Sequence, residues 1–379
     1  MRSIVQISPE IGPGSGVAGV AHNLEEQWLA RGVEVTRFTL REAHGAWIPR
    51  PGAGIRGKLL LLLQVVWFST VGTWLVRRLL RRRPDLVAVC HNDALAGDVY
   101  VNHGNLVAAM RSRGRFWLRM ARNPLHLFTA VRDRRRYGPA GPHRLVVNLT
   151  SAEDTLLRST YPALATPTSV IGNGVDLDHF RAPDAAARRH ARADMGLAEE
   201  TCALLFIGHE HDRKGLSQSL DALALLPADH HLFVVGGTSD MVDAAGAAAR
   251  RLGVLDRVTF TGPQPDPRPW LRAADVFLLP SAYESYGLVL LEALASGVPV
   301  VSTPTGCAPD VVRDGCNGVL VDRTGSAIAA GVTRLRGTDR ATLSHAARAS
   351  AEEHGWGAVA ERYLAAIDGL ATTAGQVTT

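Results

Sequence analysis

Lysine is nearly absent from this chain: only Lys58 and Lys214 stand among the 41 lysines and arginines of its 379 residues. Each of the two is therefore a position to be explained. Cysteine is scarce too, and Cys90, Cys202, Cys307 and Cys316 show neither CxxC nor Cys/His ligand spacing. That argues against a structural zinc site, and a chain of this length has no need of a disulfide scaffold. The 37 glycines and 20 prolines follow no short repeat, which excludes collagen and solenoids. No leader with a cleavage site is read at the start, where Met1-Arg2 runs straight into the strand-like Ser3–Ser8.

The first half also lacks acid. Residues 1–165 carry 23 Lys+Arg against 11 Asp+Glu, or +12; the remainder carries 18 against 25, or −7, and the two sum to the formal +5. A basic half is expected to meet something anionic. With 46% hydrophobic residues the chain can bury a sizeable core. Its length suggests two domains, since single cores stop growing at roughly 250–300 residues.

Short β-branched runs alternate with helical patterns in both halves, the signature of parallel sheets flanked by helices. Strands are expected at Ile4–Ser8, Val33–Phe38, Leu86–Cys90, Val99–Asn102 and Arg144–Asn148. In the second half they are expected at Leu204–Ile207, Leu232–Val235, Val258–Thr261, Val276–Leu279, Val298–Ser302 and Val319–Val321. The fold class is α/β, with two Rossmann-like doubly wound parallel-sheet domains whose strand ends would face an interdomain cleft. The expected boundaries are 1–166 for the first domain and 167–354 for the second. A closing helix over 355–371 would pack back toward the first domain, with a frayed tail over 372–379. Leu59–Val76 is 18 residues without a charge, which is the threshold for a membrane span. It reads as a buried or surface-docked helix or, alternatively, as a membrane-embedded segment.

Gly14-Ser15-Gly16-Val17-Ala18-Gly19 fits GxGxxG between a strand and a helix. The second strand ends without the acid that would hold a ribose, which argues against a dinucleotide. The loop serves either an anion at the helix start or close helix–strand packing. In the second half, Gly208-His209-Glu210-His211-Asp212-Arg213-Lys214-Gly215 places two cations beside an expected helix start. That is unfavourable at the positive end of a helix unless an anion lies between. Glu284-Ser285-Tyr286-Gly287-Leu288 leads into another helix whose free N–H groups can hold phosphate, with Glu292 further along. Thr305 and Gly306 follow the next strand, where they either line the same pocket or serve the turn, and turn chemistry explains them equally well.

Taken together, these motifs resemble the retaining, family 4 type of glycosyltransferase with the GT-B fold. The resemblance rests on Arg213-Lys214-Gly215, on Glu284 and Glu292 in E-x7-E spacing, on Ala295-Ser296-Gly297-Val298-Pro299 and on Asn173-Gly174-Val175-Asp176. Gly208-His209-Glu210 and Asp98-Val99-Tyr100 are most similar to the lipopolysaccharide core glucosyltransferase branch. Two departures stand out: Asp310 replaces a longer acid, and His209 occupies a position usually held by arginine. The resemblance implies a UDP- or GDP-linked sugar donor, no resident cofactor and no bound metal. It implies that Arg213 and Lys214 neutralise the diphosphate, that Glu292 holds the ribose and that Glu284 positions the sugar. Ser285, Tyr286, Gly287 and Leu288, with Gly14, Gly16 and Gly208, would complete the donor site. A donor-contacting histidine maps to His103, at the tip of Val99–Asn102, with His91 as a second candidate.

Residues 111–144 hold ten arginines (111, 113, 115, 119, 122, 132, 134, 135, 136 and 144) against Asp133 alone, interleaved with Phe116, Trp117, Leu118 and Phe128. Basic and aromatic residues on helical segments fit an anionic membrane surface. No base-reading motif supports nucleic acid. The expectation is an enzyme peripherally bound to the inner face of the cell membrane, with a glycolipid or polysaccharide acceptor; the alternatives are a glycosyltransferase with a soluble natural-product acceptor, a nucleotide-binding oxidoreductase or a non-catalytic anion-binding protein.

Overall fold

The computed structural model describes residues 3–14, 16–52, 54–112 and 116–376. They form two compact units, the first from Met1–Asn173 with Trp356–Thr379 and the second from Gly174–Gly355.

The first unit is built on a six-stranded parallel sheet in the order β2-β1-β3-β4-β5-β6. Its strands are β1 (Ser3–Ile7), β2 (Glu34–Phe38), β3 (Leu86–Cys90), β4 (Val99–Asn102), β5 (Leu145–Asn148) and β6 (Thr168–Val170). Central strands buried on both faces read as unbroken apolar runs, as in Leu145-Val146-Val147. β6 is not among the strands expected from the sequence, since it is short and follows Pro167. Because β6 pairs with β5, the first unit extends past the expected 166/167 boundary to Asn173.

The helix Trp356–Gln376 packs on the helix Gly16–Ala30. Trp28 donates from Nε1 to the Ala360 carbonyl at 3.2 Å, and its ring meets Tyr363 edge-on. The closing helix runs beyond the expected 371, since no proline interrupts it before Gln376. Residues 377–379 of the anticipated tail lie outside the described residues.

A continuous helical segment, Gly54–Arg82, joins β2 to β3. It is 29 residues long and apolar enough to cross a membrane by length and composition. Topology argues against a crossing, because β2 and β3 both pair in parallel with β1 and so lie on one side of any bilayer. The segment is a crossover helix docked on the sheet, widened to a π-turn at Phe68–Gly72. Phe68 and Val76 are fully buried in the core cluster that includes Val5, Ile7, Ala88 and Cys90. Its outer face exposes Ile55 (79%), Leu59 (61%) and Trp74 (58%).

The arginine run does not behave as one surface. On the helix Pro124–Arg136, Arg132 and Arg136 are buried. Arg136 bonds Asp133 at 2.8 Å, Tyr100 Oη and the Asn92 and Ala94 carbonyls, and lies 3.9 Å over the Tyr100 ring. Arg132 reaches Asp93 at 2.5 Å and Asp133 at 3.2 Å. Arginine is tolerated inside when its fork is filled by carboxylates and carbonyls. Arg134 and Arg135 point outward, and Arg144 bonds Asp98 and the Leu370 carbonyl. Arg113 and Arg115 lie outside the described residues, as do the side chains of Trp117 and Arg119.

The second unit is also a six-stranded parallel sheet, in the order β12-β11-β10-β7-β8-β9. Its strands are β7 (Cys202–Ile207), β8 (His230–Val235), β9 (Val258–Gly262), β10 (Val276–Leu279), β11 (Val300–Ser302) and β12 (Gly318–Leu320). The core cluster on one face gathers Leu204, Phe206, Leu232, Val234, Leu278 and Val301 with Leu216, Leu220 and Ile328 from the helices.

Candidate functional site

In an open doubly wound sheet, the loops that follow the strands diverge where the order reverses, and ligands bind there. In the second unit the reversal falls between β7 and β10. The loop after β7 ends in a one-turn helix, His211–Lys214, closed by Gly215 at φ 85°. Arg213 and Lys214 end that turn and immediately precede Gly215, the N-cap of the following helix Leu216–Leu225, so they stand beside a helix start as the sequence suggested.

Both turn toward the loop after β10. Lys214 Nζ and Arg213 Nη1 each lie 3.1 Å from Glu284 Oε1, and Ser281 Oγ donates to the same oxygen at 2.8 Å. Arg213 also pairs with Glu210 at 2.7 Å and donates to the Tyr283 carbonyl. Burial works against its charge, yet Glu210 and Glu284 together raise its pKa. Glu284 is 8% exposed, so three donors on one oxygen are what stabilise its charge there.

The close approach of the two loops depends on glycine. A Cβ at Gly208 would sit 2.1 Å from the Lys214 chain. One at Gly306, at φ 57°, would meet the Tyr286 carbonyl at 2.3 Å. That carbonyl accepts from Cys307 N at 2.7 Å, which holds the loop after β11 against the loop after β10, with Thr305 and Gly306 between. Asp310 is exposed on the short turn Ala308–Val311.

The helix Leu288–Ala295 begins after Gly287 (φ 87°), and no side chain caps its first turn. Its first N–H groups are therefore available to an anion. Ser285 is exposed beside that turn, whereas the Tyr286 ring is buried and offers only its backbone. Glu292 is half-buried one turn further on. Burial pushes its carboxyl up to about 7, against the pull of Lys214.

The first unit has the same reversal between β1 and β3, with neutral groups. His91, after β3, is fully buried and shares a 2.7 Å hydrogen bond with Gln6 Oε1. Gln6 Nε2 donates to the Ala21 carbonyl, so its oxygen faces the ring. His103, after β4, stacks on His91 at 5.8 Å between centroids. Burial lowers the pKa of His103 to about 4 and that of His91 well below its usual value. Gly14 (φ 125°) and Gly16 (φ 78°) shape the loop before the first helix, and Ser15 lies outside the described residues. A Cβ at Gly19 would strike the Gly14 carbonyl at 1.9 Å, so the third glycine of the motif serves packing of loop on helix.

The structure thus brings Arg213, Lys214 and Glu284 together in one unit, and His91 and His103 together in the other. Two contributors went unread in the sequence. Ser281 carries no signal of its own. Gln6 carries one: a polar residue inside the apolar run Ile4-Val5-Gln6-Ile7 must find partners when buried.

Paired cations on a buried carboxylate, an uncapped helix start and a second carboxylate along that helix make up the candidate site of the second, Rossmann-like unit. Residues 201–337, within that unit, match the family model of Glycosyl transferases group 1. The chain as a whole has the GT-B fold. It is similar to WaaG, a glycosyltransferase involved in lipopolysaccharide biosynthesis (21% identity, TM-score 0.71, 95% of this chain and 98% of that one). Sucrose-phosphate synthase from Thermosynechococcus elongatus gives a TM-score of 0.70 at 19% identity over 98% and 100% of the two chains.

In sequence it is similar to proteins named D-inositol 3-phosphate glycosyltransferase. The one from Xylanimonas cellulosilytica is 38% identical over 237 residues (57% of each chain). The one from Thermomonospora curvata is 39% identical over 253 residues (62% of this chain, 58% of that one). The chain thus spans little more than half the length of these curated relatives. The likeness to WaaG is one of fold, and the relatives at 38–39% identity carry a different name from the lipopolysaccharide core branch.

Proposed function

We propose that this protein is a retaining glycosyltransferase, independent of a bound metal, that moves a sugar from a UDP- or GDP-linked donor to a cell-envelope glycolipid or polysaccharide at the inner membrane face. The observation that carries the reading is the convergence of Arg213 and Lys214 on Glu284 at the reversal point of the second unit.

Breaking the bond between the sugar and its diphosphate leaves negative charge on the departing phosphate. Cations and N–H groups already in place lower that barrier without reorganising. Arg213 and Lys214 fill this role, together with the uncapped turn at Gly287–Leu288. Glu284 keeps a second oxygen to receive sugar hydroxyls, and ionised Glu292 accepts from the ribose. His103, neutral at physiological pH, contacts the donor sugar. Retention follows when the acceptor oxygen attacks from the face the diphosphate leaves.

The membrane part of the proposal rests on the exposed face of Gly54–Arg82, where Ile55, Leu59, Leu61 and Leu63 lie with Arg56 and Lys58. The neighbouring helix Pro124–Arg136 adds Leu127 and Val131, both exposed. An apolar stripe flanked by cations suits an anionic lipid surface.

Transfer of radiolabelled sugar from UDP- and GDP-linked donors to membrane extracts tests the reading. Glu284→Gln and Lys214→Ala are expected to lower it about a hundredfold or more, and full activity in either variant refutes the site. A second reading, a soluble phosphorylated cyclitol as acceptor, draws on the name shared by the relatives at 38–39% identity. Activity on D-inositol 3-phosphate without vesicles would favour it.

A further inference from the structure

The arginines of the Pro124–Arg136 helix divide by helical phase. Arg132 and Arg136 face inward and take up the carboxylates of Asp93 and Asp133. Arg134 and Arg135 face outward and have no ion-pair partner among the described residues. They border a cavity of about 620 Å³ whose polar lining is Ser69, Thr70, Thr73, Arg77, Arg134 and Arg135. No aspartate or glutamate lines it. Three guanidinium groups around a space without a carboxylate are a standing excess of positive charge, and anions relieve it.

The cavity is organised rather than a chance gathering of surface side chains. Arg77 is held by its bond to the Leu95 carbonyl at 3.1 Å, which leaves other donors of its fork free. Thr73 Oγ1 accepts from Leu95 N and donates to the Ser69 carbonyl, which fixes the same wall. Ser69 is 5% exposed; its Oγ accepts a long bond from Arg132 Nη1 (3.5 Å), and its own proton has no acceptor among the described residues. A buried hydroxyl with a proton to give needs an acceptor. Ser69 and Thr70 lie in the π-turn Phe68–Gly72, and such widened turns recur at functional positions. Pro139 and Pro142 stiffen the opposite wall.

We propose that this cavity in the first unit binds a phosphoryl group, received by Arg77, Arg134 and Arg135 with the Ser69 hydroxyl. The phosphoryl group belongs either to a soluble phosphate monoester or to the headgroup of an anionic lipid. None of Gln6, His91, His103, Arg213, Lys214 and Glu284 lines the cavity, so the site is additional to the one assigned to the donor.

The test is calorimetric titration of the full chain with inorganic phosphate and with vesicles containing phosphatidic acid, against vesicles of neutral lipid. Each is run in the natural protein and in Lys214→Ala, and binding that is unchanged by this substitution does not come from the cation pair of the second unit. The double substitution Arg134→Ala with Arg135→Ala is expected to weaken binding at least tenfold. Arg81→Ala with Arg82→Ala, an exposed pair outside the cavity, should change it less than twofold. Ser69→Ala should weaken binding roughly threefold, a smaller loss than that of the arginine pair. All four arginines are exposed, and unchanged thermal midpoints would exclude unfolding as the cause. Binding of phosphate in this pattern identifies a soluble ligand class; binding of phosphatidic acid vesicles alone, in the same pattern, identifies a headgroup. If neither probe binds, or if both double substitutions weaken binding equally, the site does not exist and the arginines are a general basic surface.

Discussion

The two units share one sheet architecture and use its reversal point in opposite ways. The second unit gathers charge there: Arg213 and Lys214 each lie 3.1 Å from one carboxylate oxygen of Glu284. The first gathers neutral groups, Gln6, His91 and His103, and burial holds both imidazoles uncharged. It places its charges elsewhere, in the buried Arg132–Asp133–Arg136 cluster and on the exposed helix faces. The same strand order therefore supplies a crevice without dictating its electrostatics, and the loop residues decide whether that crevice is charged or neutral.

The contrast can be broken most severely inside the first unit. Arg136→Met leaves Asp133 short of a partner and frees the Asn92 and Ala94 carbonyls. A loss of about 3–5 kcal/mol is expected in urea unfolding, as for other buried pairs cut on one side. An equal loss of donor binding is not expected. Removing charge from the second unit should do the reverse. Lys214→Ala is predicted to lower kcat/KM for the nucleotide-sugar about 100–1000-fold, the range for one lost oxyanion-type donor. Its stability should fall by only about 1–3 kcal/mol as Glu284 loses one of three donors.

Glu292 sharpens the comparison through pH. Its folded carboxyl titrates near 7, above its ordinary value of 4.5. A raised carboxylate pKa means the folded state prefers the proton. Stability is therefore full below about pH 4.5 and declines as pH rises through 7. Glu292→Gln should be more stable than the natural protein by about 1–3 kcal/mol at pH 8 and indistinguishable from it at about pH 4.5. Nucleotide affinity should move the other way, tightening as Glu292 ionises and losing that pH dependence in Glu292→Gln. The smallest effect is expected at Ser281→Ala, about 1 kcal/mol in unfolding with donor affinity changed severalfold, since Lys214 and Arg213 remain on Glu284.

Much of this was legible in the sequence because both units are built from buried parallel strands, which leave uninterrupted β-branched runs. The spacing of Arg213-Lys214 and Glu284–Glu292 survives as signal because each group sits within a short distance of a strand end. What failed to show depended on pairing across the fold. The run of arginines at 111–144 gives no hint that Arg132 and Arg136 face inward, since Asp93 and Tyr100 lie far off in sequence. The cations of the second unit do stand at a helix start, but the one-turn helix His211–Lys214 that precedes it, ended by Gly215, is too short for periodicity to reveal. β6 was hidden because three half-exposed residues after Pro167 look like linker until β5 is beside them. The Leu59–Val76 run was ambiguous from composition alone, and only the pairing of β2 and β3 with β1 decided it.

In the proposed reading Arg213 and Lys214 receive a diphosphate. Calorimetric titration of UDP and GDP into the natural protein and Lys214→Ala, at about pH 8 and constant salt, tests it most directly. At least one nucleotide is expected to bind the natural protein, with the substitution weakening it tenfold or more while unfolding remains cooperative. Equal affinity in the two proteins, or binding of neither nucleotide, would contradict it.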